Sequence, residues 1–153
     1  MKVIFLDFDG VIVTAQTLKD RSKLEKLGNF KCIKNLNKII RATNAKIVIS
    51  SSWRFSGLNE LKLILKYWGC EGEVIGMTPD LSYKDENDHW WGVLRGYEIQ
   101  KWLDDNQNLN IESFVILDDH ADMDHLSTNY IQTDFAVGIT DIDVVNAIKL
   151  LNR

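Results

Sequence analysis

Apolar residues come in short blocks along this chain, and the spacing within the blocks changes from one to the next. Residues 2–8 (KVIFLDF) form a nearly continuous apolar run with an acid at its end. Such a run suits a parallel strand buried on both faces. Within residues 33–41, Ile33, Leu36, Ile39 and Ile40 fall on one helical face. Residues 45–49 (AKIVI) read as a second buried strand, and residues 73–75 as a short third one. Between them, Leu58, Leu61, Leu65 and Trp68 make another helical stripe, with Gly69 placed to end it. Residues 95–106 resume helical spacing, with Ile99, Trp102 and Leu103 inward. Residues 113–117 (SFVIL) and 129–133 predict a fourth and a fifth strand. Asp141 is placed to cap a last helix carrying Val144, Val145 and Ile148.

Strands alternating with helices predict an α/β fold with a central parallel sheet flanked by helices. Residues 77–94 hold the only proline and a polar stretch, SYKDENDH, before Trp90 and Trp91; they read as one long loop. Residues 14–31 show no clean period. No internal repeat or linker interrupts the pattern, so residues 1–153 are expected to form one domain.

Composition changes this picture little. A formal charge of −4 argues against a strong sequence-independent grip on nucleic acid, though not against a local basic groove. Cys32 and Cys70 form no CxxC pair, so neither a zinc site nor a disulfide framework is signalled. The start of the chain lacks the long apolar region of a signal peptide, and no apolar run reaches the length of a membrane span. A cytoplasmic protein without membrane contact is expected.

The chemistry concentrates at strand ends. Asp7 and Asp9 sit two apart after the first apolar run, so both carboxylates are expected to face one crevice where α/β sheets bind ligands. Paired carboxylates repel, and a hard cation such as magnesium would neutralise them. Gly10 permits a sharp reversal there. A plain Asp-Gly hairpin would explain Asp9 and Gly10 but leave Asp7 without a reason. In IVISSSWR, residues 47–54, hydroxyls follow a buried strand; they suit either helix capping or phosphate binding, and Arg54 favours an anion. Arg95 opens a helix against the macrodipole preference, which points it at a bound anion rather than solvent. Asp118 and Asp119 end the fourth strand, with Asp122 and Asp124 following. If that strand neighbours the first, four carboxylates converge on one point.

These segments in this order resemble the haloacid dehalogenase (HAD) superfamily of phosphatases. DFDGVI resembles its first motif, a strand ending in serine its second, a basic residue its third and the DD pair its fourth. The resemblance implies a Rossmann-like HAD fold and a magnesium-dependent phosphohydrolase. In it Asp7 attacks phosphorus to form a phospho-aspartate, and Asp9 protonates the leaving group and then activates water. It gives Ser51, or else Ser50, a phosphoryl oxygen to hold, and puts Arg95 where the family usually has lysine. Magnesium would be held by Asp7, the Asp9 carbonyl and one or both of Asp118 and Asp119. The gaps at 14–44 and 55–94 leave no room for an independent cap domain, so an essentially capless enzyme is expected, with residues 77–94 as a small lid. The segments SSSWR, RGYEIQKWL and VILDD…DM look like the HAD domains of Swiss army knife RNA repair proteins. They are also similar in layout to the phosphatase domain of polynucleotide kinase-phosphatases. An open site and Trp53, Trp90 and Trp91 would then suit phosphorylated nucleic acid ends. The alternatives are a nucleotide or sugar phosphatase, and a phosphate-binding regulatory module without catalysis. A receiver domain is disfavoured, because its acid pair follows the first strand and its phospho-acceptor the third.

Overall fold

The computed structural model describes residues 1–19 and 23–153. Its strands and helices in chain order are β1 (Lys2–Leu6), α1 (Phe30–Thr43), β2 (Lys46–Ile49), α2 (Leu58–Tyr67), β3 (Val74–Met77), β4 (Tyr83–Lys84), β5 (Trp90–Trp91), α3 (Arg95–Asp105), β6 (Ser113–Asp118), β7 (Tyr130–Gln132) and α4 (Asp141–Leu151). Five strands form one parallel sheet in the order β3-β2-β1-β6-β7. The expected α/β architecture with a central parallel sheet is therefore present.

Alternation along the strands sorts the core into two layers. Ile4, Leu6, Ile47, Ile49, Val115 and Leu117 pack toward α1, α2 and α4. Val3, Phe5, Val48 and Ile116 pack toward α3, where Ile99 and Trp102 meet them. Phe5 stands edge-on to Trp102 with ring centroids 5.5 Å apart. Both faces are covered, which is why the strand sequences read as continuous apolar runs. Both cysteines are free. Among the described residues, no helix is long and apolar enough to cross a membrane.

Four expectations shift. Residues 77–94 are not one irregular loop: β4 and β5 pair antiparallel within them, Tyr83 opposite Trp91 and Lys84 opposite Trp90. A polar side chain builds the hairpin. The Asp85 carboxylate accepts from the amides of Asn87 and His89 and from Trp91 Nε1, at 2.9, 3.0 and 2.9 Å. The last helix is capped by Thr140 rather than Asp141; Thr140 and Asp143 exchange side-chain and backbone hydrogen bonds in a capping box. Val145 faces out and is 65% exposed, because α4 buries only the Val144–Ala147–Leu151 stripe. The third strand runs Val74–Met77, further along than residues 73–75. The described residues of 14–31 include two short 3-10 turns, Thr17–Lys19 and Leu24–Lys26. Between β3 and α3 the inserted structure is only the hairpin, in keeping with a capless domain.

The loop after β6 is fastened to the start of α3. No local side chain caps α3. Instead the Asp122 carboxylate accepts from the Arg95 amide at 3.1 Å, and the Asp122 carbonyl from the Gly96 amide at 3.2 Å. A Cβ at Gly96 would overlap the Met123 carbonyl oxygen. Gly96→Ala should therefore destabilise the fold by about 1–3 kcal/mol through overpacking, although alanine is the better helix former by roughly 1 kcal/mol. Urea denaturation checks this; a variant at least as stable as the wild type would show that the loop yields freely.

Candidate active site

The sheet brings two acids together by register alone. Leu6 lies opposite Leu117 on the neighbouring strand, and the Asp7 amide donates to the Leu117 carbonyl at 3.0 Å. The next residues on the two strands are Asp7 and Asp118, both buried. They sit at the carboxyl ends of β1 and β6, where the strand order turns back on itself, the usual ligand crevice of an open α/β sheet.

Burial dominates the electrostatics of the pair. It pushes the Asp7 carboxyl from 3.8 up to about 6, while the Ser51 hydroxyl, Arg95 and the Phe8 amide pull it down and the Asp9 charge adds to the rise. Asp118 is pushed to about 7, first by burial and then by the Asp7 charge; the His120 amide and Arg95 oppose this. Asp7 Oδ1 accepts from the Phe8 amide at 2.8 Å, and Asp118 Oδ1 from the His120 amide at 2.9 Å. Asp118 Oδ2 is buried without a hydrogen-bond partner.

Asp119 closes over the first loop. The Phe8 carbonyl accepts from the amides of Val11, Ile12 and Val13, so the chain after Asp9 reverses in a compact turn and no hairpin forms. Gly10 has φ +75°, and a Cβ there would lie 2.5 Å from Asp119 Cγ. Glycine is thus required twice over, for the backbone and for Asp119. Thr133 Oγ1 holds the Gly10 carbonyl at 2.7 Å. Asp7, Asp118, Asp119 and His120 each present one ligand atom, all within 4.8 Å of one another. Three carboxylates and an unpartnered buried oxygen fit a hard cation, so this cluster could hold the metal the sequence implied. His120, which sequence reasoning missed, is exposed and lies with Nδ1 2.9 Å from Asp119 Oδ1. Its only signal was its place directly after the acid pair.

The other expected residues take distinct places. Asp9 stands apart from the metal cluster: its Oδ2 accepts from Trp53 Nε1 at 3.0 Å. Trp53 packs against Phe8 and Trp68 and so positions an acid, which is the ordinary packing role a tryptophan there could take instead of stacking on a base. Asp9 also lines a cleft of about 480 Å³ with Leu18, Leu27, Trp53, His120 and Phe135. The two serines separate. The Ser51 hydroxyl bonds to Asp7 and also accepts from the Trp53 amide at 3.3 Å, whereas the buried Ser50 Oγ has no partner. Arg95 Nε lies 3.6 Å from Asp118 Oδ2, between the acids and Glu98. Arg54, expected at a phosphate, has a partner inside the protein. Its guanidinium forks onto buried Glu98 at 2.8 and 2.7 Å, so its charge is already matched inside the protein. Glu98 was also missed, and Asp122 was noted only as an acid following the pair, not as the cap of α3. Glu98 follows Arg95 by three residues, a spacing that reads equally well as a surface pair.

Fold and site together define a domain of the HAD class, with the acids of its first and fourth motifs on adjacent strands. The chain belongs to the family described as the HAD domain in Swiss Army Knife RNA repair proteins, which it matches over residues 3–144. No curated protein and no solved structure matches it.

A carboxyl raised on folding binds its proton more tightly in the native state than in the unfolded chain. Its ionisation therefore weakens the fold as pH rises from the ordinary carboxylate value of 3.8 toward the folded values of about 6 and about 7 for Asp7 and Asp118. Metal-free protein should melt at a higher temperature at pH 5.5 than at pH 8, and Asp118→Asn should shrink that difference. His120, raised by Asp119, pushes the same way, so the comparison with the variant isolates Asp118. Equal pH dependence in the two proteins would contradict this account.

Proposed function

We propose that this protein is a magnesium-dependent phosphomonoesterase that works through a phospho-aspartate on Asp7. The observation that supports this most is the register-matched pair Asp7 and Asp118 at the ends of adjacent strands, with Asp9, Ser51 and Arg95 around them. Asp7 attacks phosphorus, and the bond from phosphorus to the leaving oxygen breaks as Asp9 gives that oxygen its proton. Asp9 then takes a proton from water as the water attacks phosphorus, which frees phosphate and restores Asp7. Ser51, already on the Asp7 carboxylate, can pass its hydrogen bond to the incoming phosphoryl oxygen. Arg95 offsets charge on the phosphoryl oxygens. Magnesium, when held by Asp7, Asp118, Asp119 and the Asp9 carbonyl, reduces the repulsion between the carboxylates and the phosphate.

The substrate we favour is the phosphorylated end of a nucleic acid. The family name refers to RNA repair. Trp90 and Trp91 are 68% and 53% exposed on a hairpin that leads directly into Arg95, and Lys84 stands 5.3 Å over the Trp90 ring. Exposed aromatics beside a cation suit stacked bases and a phosphate backbone. The cleft beside Asp9, with apolar Leu18, Leu27 and Phe135, suits the leaving nucleoside.

Asp7→Asn should lower phosphate release at least a hundredfold with the circular dichroism spectrum unchanged, since a lost nucleophile costs several kcal/mol of barrier, roughly 1.4 kcal/mol per tenfold. Exhaustive chelation should silence the wild type, and added magnesium should restore it. Activity of the variant within tenfold of the wild type would remove Asp7 from the mechanism.

A phosphorylated oligonucleotide should have a higher kcat/KM than a mononucleotide at the same salt concentration. Trp90→Ala or Trp91→Ala should mainly raise KM for the oligonucleotide, by about 1–3 kcal/mol of binding per base stack lost. A mononucleotide or sugar phosphate preferred tenfold would overturn the nucleic acid reading and leave the phosphatase reading standing.

A further inference from the structure

Arg54 and Arg95 face the same buried carboxylate. Glu98 lies on α3 with its side chain 4% exposed. Arg54 Nη1 donates to Oε2 at 2.8 Å and Nη2 to Oε1 at 2.7 Å. The Leu81 amide adds a third bond, to Oε1 at 3.2 Å. Both oxygens of Glu98 are thus engaged by groups outside α3. Arg95, one turn before Glu98 on the same helix, stays 3.8 Å from Oε2, and its Nη1 has no hydrogen-bond partner.

This distance needs an explanation. An arginine three residues from a carboxylate on one helix face normally closes on it. Inside a protein the attraction is stronger than at the surface, because less water screens it. Glu98 is already matched in charge by the Arg54 fork, and Oε2, the oxygen nearest Arg95, already accepts from Arg54 Nη1.

We infer that Arg54 is a positioning residue that keeps Glu98 from capturing Arg95, leaving the Arg95 guanidinium for the phosphoryl group. The inference rests on the assignment of Arg95 under the proposed function. Without Arg54, Glu98 would be a buried carboxylate short of its charge partner. Arg95 is the other cation paired with it among the described residues. Arg95 would swing onto Glu98, away from Asp118 and from the phosphoryl position. Arg54 acts here without touching substrate. It also salt-bridges Asp80 at 3.4 Å, so Arg54 and Glu98 together join the root of the hairpin to α3.

The test compares wild type, Arg54→Gln, Glu98→Gln and the double variant. Inorganic phosphate binding is measured by calorimetry with magnesium present, and hydrolysis of a phosphorylated oligonucleotide is measured beside it. Arg54→Gln should weaken phosphate binding about tenfold, and kcat/KM should fall in step. The double variant should recover to within about threefold of Glu98→Gln alone, because a neutral side chain no longer competes for Arg95. A structural role for Arg54 would also be relieved by removing the charge of its partner, but it would lower the melting temperature of Arg54→Gln and leave the phosphate affinity of the protein that stays folded unchanged, so binding is measured well below each variant's melt. A double variant as weak as Arg54→Gln, or an Arg54→Gln that binds phosphate like wild type, overturns the inference. If Arg54→Gln does not fold, Arg54→Lys keeps a cation without the fork, and the same rescue is required of it. If wild type hydrolyses nothing while phosphate binding follows the expected order, the proposed function fails and the inference stands. A wild type that binds no phosphate overturns both.

Discussion

Two carboxylates cannot be buried side by side without consequences for everything near them. The pairing of β1 with β6 leaves Asp7 and Asp118 no choice of neighbour, since Leu6 and Leu117 fix the register just before them. Their repulsion is offset by a set of weak compensations. The Phe8 and His120 amides donate to them, Ser51 bonds to Asp7, and Arg95 lies close to both. None of these is a close ion pair: Arg95 stays 3.6 Å from Asp118. A site left short of positive charge is suited to a cation where the strands end. Stability has been traded for a prepared place to bind.

The surrounding structure holds that place steady. Asp122 supplies the cap that α3 lacks, and Gly96 lets the loop after β6 come down onto the helix. Arg95 and Asp118 are therefore tied together although they belong to different elements. On the other side, Gly10 makes room for Asp119, and Thr133 fastens the Gly10 carbonyl. Trp53 reaches Asp9 from the turn after β2. Each contact is local, but together they join four strand ends around one point.

Much of this was legible in the sequence, for a physical reason. Strands buried on both faces must be apolar, so an acid at the end of such a run stands out; Asp7 and Asp118 were visible that way. Helix stripes were legible where the burial was broad, as in α1, and less so in α4, where Val145 looked inward by spacing alone. The hairpin was hidden because a single carboxylate, Asp85, builds its turn inside a polar run. Glu98 was hidden because a charged residue on a helix reads as solvated until a partner from elsewhere in the chain is known. Arg54 was noticed but its partner was not, since an arginine after a strand suits a buried carboxylate as well as it suits phosphate. The resemblance to HAD domains supplied roles that charge and spacing could not.

The central position of β1 has a bearing on how the molecule assembles. Its two neighbours, β2 and β6, are about forty and more than a hundred residues further along the chain. Nothing local can complete the sheet around it, and closing the longer loop carries an entropic cost before any contact repays it. Asp7 and Asp118 meet only when that long closure is made. The meeting of the two acids and cooperative folding are thus tied to one event, and a chain that has not closed the loop leaves an apolar first strand unpaired.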